Sequence, residues 1–232
     1  MFLGIDPLYW IMMAPVLLLS MWASFRVKSA YNKYSKIGSN SGFSGAEVAE
    51  LILRRGGLGH IPVVETKGFL SDHYDPRKKV IKLSPEVYRS KSISAMGVAA
   101  HETGHAIQHS TEYKPLVMRN MMAPTASIGS NLAWIVIFGG FIIGSLGLVK
   151  IGILLFSLVV VFQLITLPVE FNASTRAKDI LVSYNIVSSK ELQGVKKVLS
   201  AAAMTYVAAA ASSVVTLLYF LLRAGLLGGG DD

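Results

Sequence analysis

Two histidines four residues apart, with a glutamate directly after the first, stand at His101-Glu102-Thr103-Gly104-His105. On an α-helix, residues i and i+4 share one face about 6 Å apart. Two imidazoles at that spacing can close on one Zn²⁺ at roughly 2.0–2.1 Å each. Glu102 is then placed to take a proton from a metal-bound water rather than to bind the metal. With five His and eight Glu in 232 residues, H-E-x-x-H arises by chance about once in three hundred such chains. The surrounding Met96-Gly97-Val98-Ala99-Ala100 and Ala106-Ile107-Gln108 give the apolar, small-residue setting of a buried helix.

A catalytic zinc ion usually takes three protein ligands and keeps one position for water. His109 follows the same helical stripe, but His101 and His109 would lie about 12 Å apart on a straight helix. The pattern H-E-x-x-H-x-x-G-x-x-H ends the helix with Gly to bring in a third His, and this chain has Gln108 in that place. His109 therefore reads as a surface residue or a partner of a ligand. Glu170 is the better third ligand, because the topology derived below returns the chain to the motif's side at Leu167-Pro168-Val169-Glu170. An ionisable group at a membrane boundary marks a functional site, although a snorkelling interface residue would look the same. His₂Glu is a known catalytic zinc set.

The elements that must position these residues follow from composition. The chain is 52% hydrophobic and 16% charged, with a mean hydropathy of +0.50, which excludes an ordinary soluble domain. Charge is absent from Pro7 to Phe25, from Asn120 to Val169 apart from Lys150, and from Val198 to Leu222. Crossing a bilayer takes about 20 apolar residues, so the middle stretch supplies two spans, joined by a tight turn at 147–152. The first run has no basic residue before it and basic residues after it, which fits an anchor rather than a signal peptide.

Residues 26–119 hold fifteen Lys and Arg and residues 170–197 hold five more, against Lys150 and Arg223 elsewhere. The positive-inside rule makes both basic segments cytoplasmic and puts both termini outside. The expected protein is thus an α-helical, multi-pass protein of the cell membrane. Spans run over 7–25, 124–148, 151–169 and 198–222, with a cytoplasmic α+β unit over 26–119 and a cytoplasmic helical segment over 170–197. The net charge of +8 follows from this topology, and no nucleic-acid-binding motif accompanies it. The absence of Cys suits a site on the reducing side.

Within the first cytoplasmic segment, Gly38 to Gly42 reads as a flexible turn. Ser44 with Glu47 forms a capping box for a helix over 46–55, which Gly56-Gly57 ends. Residues 61–65 and 79–83 look like short strands, with a polar loop over 71–77 between them. Ser84-Pro85 opens a helix leading toward the motif. Ser188 to Glu191 is a second capping box, starting a helix that runs into the last span, whose Ala-rich faces suit close packing in lipid. The Gly228–Asp232 tail is of low complexity.

Taken together, His101-Glu102-Thr103-Gly104-His105 and Glu170-Phe171-x-Ala173 resemble the membrane gluzincins, the group of HtpX and the CAAX prenyl proteases. The closer likeness is to the YugP-type family of bacterial membrane zinc metallopeptidases. It is carried by Ser71-Asp72-His73-Tyr74-Asp75-Pro76, by Val98 to Gln108, and by Glu170-Phe171-Asn172-Ala173-Ser174-x-Arg176-Ala177. The resemblance implies a zincin-like unit in which His101, His105 and Glu170 hold one Zn²⁺ and Glu102 is the general base. HtpX-type enzymes carry Asp four residues after the ligand Glu, where this chain has Ser174. The partners that orient the ligand histidines are then built differently, with Asn172 or Asp179 as candidates.

The expected activity is zinc-dependent hydrolysis of peptide bonds in peptides or membrane proteins. Zinc lowers the pKa of its water and polarises the scissile carbonyl, and Glu102 moves the proton to the leaving amine. Arg176, His73 and Tyr74 are candidates to steady the oxyanion, and a strand edge near 79–83 to pair with an extended substrate. The rival reading is a membrane scaffold with a structural zinc site, which would want four protein ligands. A zinc transporter would want ionisable groups inside the spans.

Overall fold

The computed structural model describes residues 6–227, so the Gly228–Asp232 tail lies outside the described residues. In chain order the elements are α1 (Pro7–Tyr34), α2 (Gly45–Arg55), β1 (Val63–Glu65), β2 (His73–Asp75) and β3 (Val80–Leu83). They continue with α3 (Pro85–Tyr88), α4 (Ile93–Ser110), α5 (Lys114–Ile142), α6 (Leu146–Ser183) and α7 (Ser189–Arg223). The chain divides into two compact units. Among the described residues one is built from 6–23, 117–168 and 205–227, the other from Ser24–Leu116 and Val169–Met204.

Four helices, α1, α5, α6 and α7, are long and apolar enough to cross a membrane, with mean hydropathies of 1.6, 1.5, 2.6 and 1.8. In their most apolar stretches no more than 28% of residues are buried inside the protein, so most of the apolar surface faces outward, as lipid requires. This is a multi-pass membrane protein. The core of the first unit joins Met13, Val16, Ala133, Ile137, Ile153, Phe156 and Phe220. The turn expected at 147–152 lies instead at residues 143–145, and 147–152 is helical. Gly144 takes the left-handed conformation there (φ 72°), which glycine adopts without steric cost. Gly152 serves packing, since a Cβ on it would come within 2.9 Å of the Ile137 backbone nitrogen.

The second unit begins from α2. Its capping box is present: the Ser44 N–H donates to Glu47 Oε2 at 2.7 Å and the Glu47 N–H to Ser44 Oγ at 3.3 Å. Val48, Ala49, Ile52 and Leu53 turn inward. The stretch expected to be a flexible turn is pinned: the Ser39 N–H donates to the Lys91 carbonyl and the Asn40 N–H to Glu191. Glu191 also closes the second capping box on Ser188.

The sheet has the order β1-β3-β2, with β1 parallel and β2 antiparallel to β3. The segment read as a polar loop thus contains a strand. Three residues with one apolar side chain, Tyr74, are too short to show alternation. One consequence corrects an expectation: β3 is the central strand, so residues 80–83 offer no free edge, and β2 is an edge instead. The helix opened by Ser84-Pro85 stops at Tyr88, and α4 starts afresh under the Ser92 cap, whose side chain accepts the Ala95 N–H at 3.2 Å.

Candidate metal centre

Helix α4 buries its small-residue face, including Ala95, Met96, Ala99, Ala100 and Gly104. Gly104 permits the approach that matters most. A Cβ there would lie 2.8 Å from the carbonyl oxygen of Ala173 on α6. The motif helix and the helix of Glu170 therefore approach backbone to backbone at the level of the motif.

That contact brings His101, His105 and Glu170 together, with their ligand atoms all within 4.8 Å of one another, the one such group among the described residues. Glu170 Oε2 lies 3.2 Å from His101 Nε2 and 3.6 Å from His105 Nε2. Donors on a tetrahedron around zinc at ~2.0–2.1 Å stand ~3.3–3.4 Å apart, so the donor set fits the ion in chemistry and in spacing. Glu170 is 2% exposed and His105 7%, which removes competing water. Burial disfavours charge on His105, yet the bond to Glu170 and the charges of Glu102 and Glu170 raise its pKa above that of an ordinary imidazole.

Each of these two histidines has its other ring nitrogen held. His101 Nδ1 lies 3.1 Å from Ser174 Oγ, and His105 Nδ1 lies 3.0 Å from Gln108 Oε1. Such partners orient the rings and set ligand basicity. Ser174, four residues after Glu170, is thus the side chain that meets His101. Asn172 acts one step further out, through Gln108, while Asp179 is exposed. Gln108 appeared in the sequence only as the residue that replaces a helix-ending glycine. Its signal was an amide three residues after the second histidine of the motif on an apolar helix.

Glu102 is 8% exposed and stays outside the donor cluster. Its Oε2 accepts the backbone N–H of Tyr74 at 2.9 Å, so β2 holds it through the main chain. Asp72 anchors the start of β2 by accepting the Ser84 N–H at 2.7 Å and the Ser84 hydroxyl at 3.1 Å. Burial pushes its pKa up, against those bonds, with the charge of Glu102 adding to the rise.

Of the expected oxyanion donors, Tyr74 gives its hydroxyl to a bond with His109 Nδ1 at 2.8 Å. Arg176 Nε donates to Asn172 Oδ1, and His73 is exposed with Nδ1 2.8 Å from the Ser71 carbonyl. His109 is not in the metal cluster. With Tyr74, Leu58, Ile61 and Ala106 it lines a surface recess to which His60 and Lys79 also contribute.

Two imidazoles and a carboxylate on paired helices, with an H-E-x-x-H glutamate held beside them in a chain of four apolar helices, define a membrane zinc metallopeptidase. The family model described as "Putative neutral zinc metallopeptidase" matches residues 9–225, and the chain belongs to that family. It is 53% identical over 189 residues, 82% of this chain and 84% of the relative, to the "Putative membrane protease YugP" of Bacillus subtilis (strain 168). No solved structure matches the chain.

Proposed function

We propose that this metallopeptidase cleaves membrane proteins or their tails at the cytoplasmic face of the cell membrane, with both termini outside. His101, His105 and Glu170 are its zinc ligands and Glu102 is its general base. The membrane-embedded stretches are 7–25, 124–148, 151–169 and 198–222; the first, third and fourth lie within α1, α6 and α7, while the second begins in α5 and runs past its end at Ile142 through the turn into α6. The orientation rests on the twenty Lys and Arg of residues 26–119 and 170–197.

The observation that carries the reading is the division of labour among the acidic groups. Glu170 joins both histidines, while Glu102 is turned to a backbone donor. A structural zinc site is usually closed by four protein ligands, and among the described residues this cluster has three. Bound zinc supplies an acidified water and a Lewis acid for the scissile carbonyl. Glu102 accepts the water proton and passes it to the leaving amine. The Tyr74 N–H keeps the Glu102 carboxylate aimed by donating a hydrogen bond to it. The same strand offers its outer edge to an extended peptide, whose main chain would add to the sheet.

Glu102→Gln tests this directly. The variant keeps side-chain size and can still accept the Tyr74 N–H, but loses basicity. It should retain zinc and thermal stability while cleavage of an unfolded membrane-protein substrate falls about 10²–10⁴-fold. Wild-type cleavage by a zinc-loaded Glu102→Gln protein would remove Glu102 as the base.

A further inference from the structure

The hydrogen bonds behind His105 run in one direction only. The guanidinium of Arg176 can donate but not accept, and its Nε donates to Asn172 Oδ1 at 2.8 Å. One end of the Gln108 amide faces that same oxygen at 3.0 Å and the Val169 carbonyl at 2.8 Å. Two acceptors face that end, so it is the NH₂ group, and the amide cannot be flipped without setting oxygen against oxygen twice. The opposite end, Oε1, therefore faces His105 Nδ1 at 3.0 Å. An amide oxygen only accepts, so Nδ1 carries a hydrogen, which leaves Nε2 as the nitrogen that can offer a lone pair to zinc. Nε2 is the atom that lies 3.6 Å from Glu170 Oε2.

His101 has no such constraint. Its partner is the Ser174 hydroxyl, which rotates to donate or accept. Gln108 is also fully buried at 0% exposure, so no water substitutes for its bonds. Val169 and Asn172 flank Glu170 on α6, and one side chain thereby ties the setting of one ligand to the segment that carries another.

We propose that Gln108 is a positioning residue that fixes His105 as the Nδ1–H tautomer and so sets zinc affinity. Asn172 and Arg176 hold the Gln108 amide in its single workable orientation. The inference rests on His105 being a ligand, as proposed above. It is distinct from a packing role for Gln108, because the two predict opposite orders for two substitutions.

Gln108→Met keeps the length but loses all three bonds. Gln108→Glu keeps an oxygen acceptor for the His105 N–H, while turning a charge toward the Val169 and Asn172 oxygens. Zinc affinity of the full-length protein in detergent, read by competition with a chromophoric chelator, should fall about 10–100-fold in Gln108→Met. Gln108→Glu should recover most of that loss, since a carboxylate accepts the N–H more strongly. A packing role predicts Gln108→Glu to be the worse of the two. Zinc binding by Gln108→Met at wild-type affinity, or no recovery in Gln108→Glu, overturns the proposal.

Should both variants fail to fold, the wild type decides. In zinc-loaded protein carrying ¹⁵N-histidine, NMR should show the His105 hydrogen on Nδ1, the signal being assigned by its loss in His105→Ala. A hydrogen on Nε2 overturns the relay. Full zinc affinity in His105→Ala would instead remove the ligand assignment, and the relay with it.

Discussion

Glu170 is the residue on which the metal reading turns, because the two histidines could serve a structural ion equally well. It is nearly fully buried and shares one carboxylate oxygen between both imidazoles. Glu170→Gln should release zinc to a chelator as readily as His105→Ala. Both losses should exceed the roughly 10–100-fold that removing an outer partner costs. Zinc content after dialysis checks this, and full occupancy in Glu170→Gln would strike Glu170 from the ligand set. At this scale the sequence is informative where chemistry is tied to spacing. Glu102 could be assigned beside His101 and His105 from five residues alone. The roles of Gln108 and Ser174 could not, since a Gln or Ser reads the same whether it faces solvent or a ring nitrogen.

The contact between α4 and α6 decides whether these residues form a site at all. Gly104 fills an unspecified position in H-E-x-x-H, yet its missing side chain sets how near Ala173, and hence Glu170, can come. Gly104→Ala should push the helices apart, at a cost of about 1–3 kcal/mol in stability, and weaken zinc binding with it. Gly97→Ala is the matched control. Its Cβ would meet the tip of Val195 at 3.3 Å rather than backbone, and a side chain yields more easily. Thermal midpoints and zinc affinities of the two variants should therefore diverge, with Gly104→Ala the worse in both. The sheet makes a related point. Capping boxes at Ser44 and Ser188 were readable because their bonds are local, whereas β2 was not, because pairing with β3 and the bond from Tyr74 to Glu102 join distant segments.

For the whole molecule, the four apolar helices are established by length and composition, and the proposed orientation is open to a direct test. The native chain has no cysteine, so introduced thiols report without background. Ser189→Cys, at an exposed position at the start of α7, should be shielded from an impermeant thiol reagent in intact cells and react once the membrane is permeabilised. Lys150→Cys, also exposed, should react in intact cells. Labelling of Ser189→Cys from outside would reverse the topology and move the proposed site of cleavage to the other face.

By itself the sequence determined the zinc motif, the number of apolar helices and the charge bias, because each is written in residue type at short range. A helix places i and i+4 together wherever it forms, and about 20 uncharged residues suffice for a span. The turn between the second and third apolar helices already shows the limit. Three glycines, Gly144, Gly147 and Gly152, stand close together, and only packing reveals that Gly144 turns the chain while Gly152 lies against Ile137. The tertiary structure alone decided which strand is the edge, how close Gly104 lets two helices approach, and that Gln108 faces His105 with its oxygen. Those outcomes depend on contacts between residues such as Gln108 and Val169, 61 positions apart, and no local preference of either residue encodes the meeting.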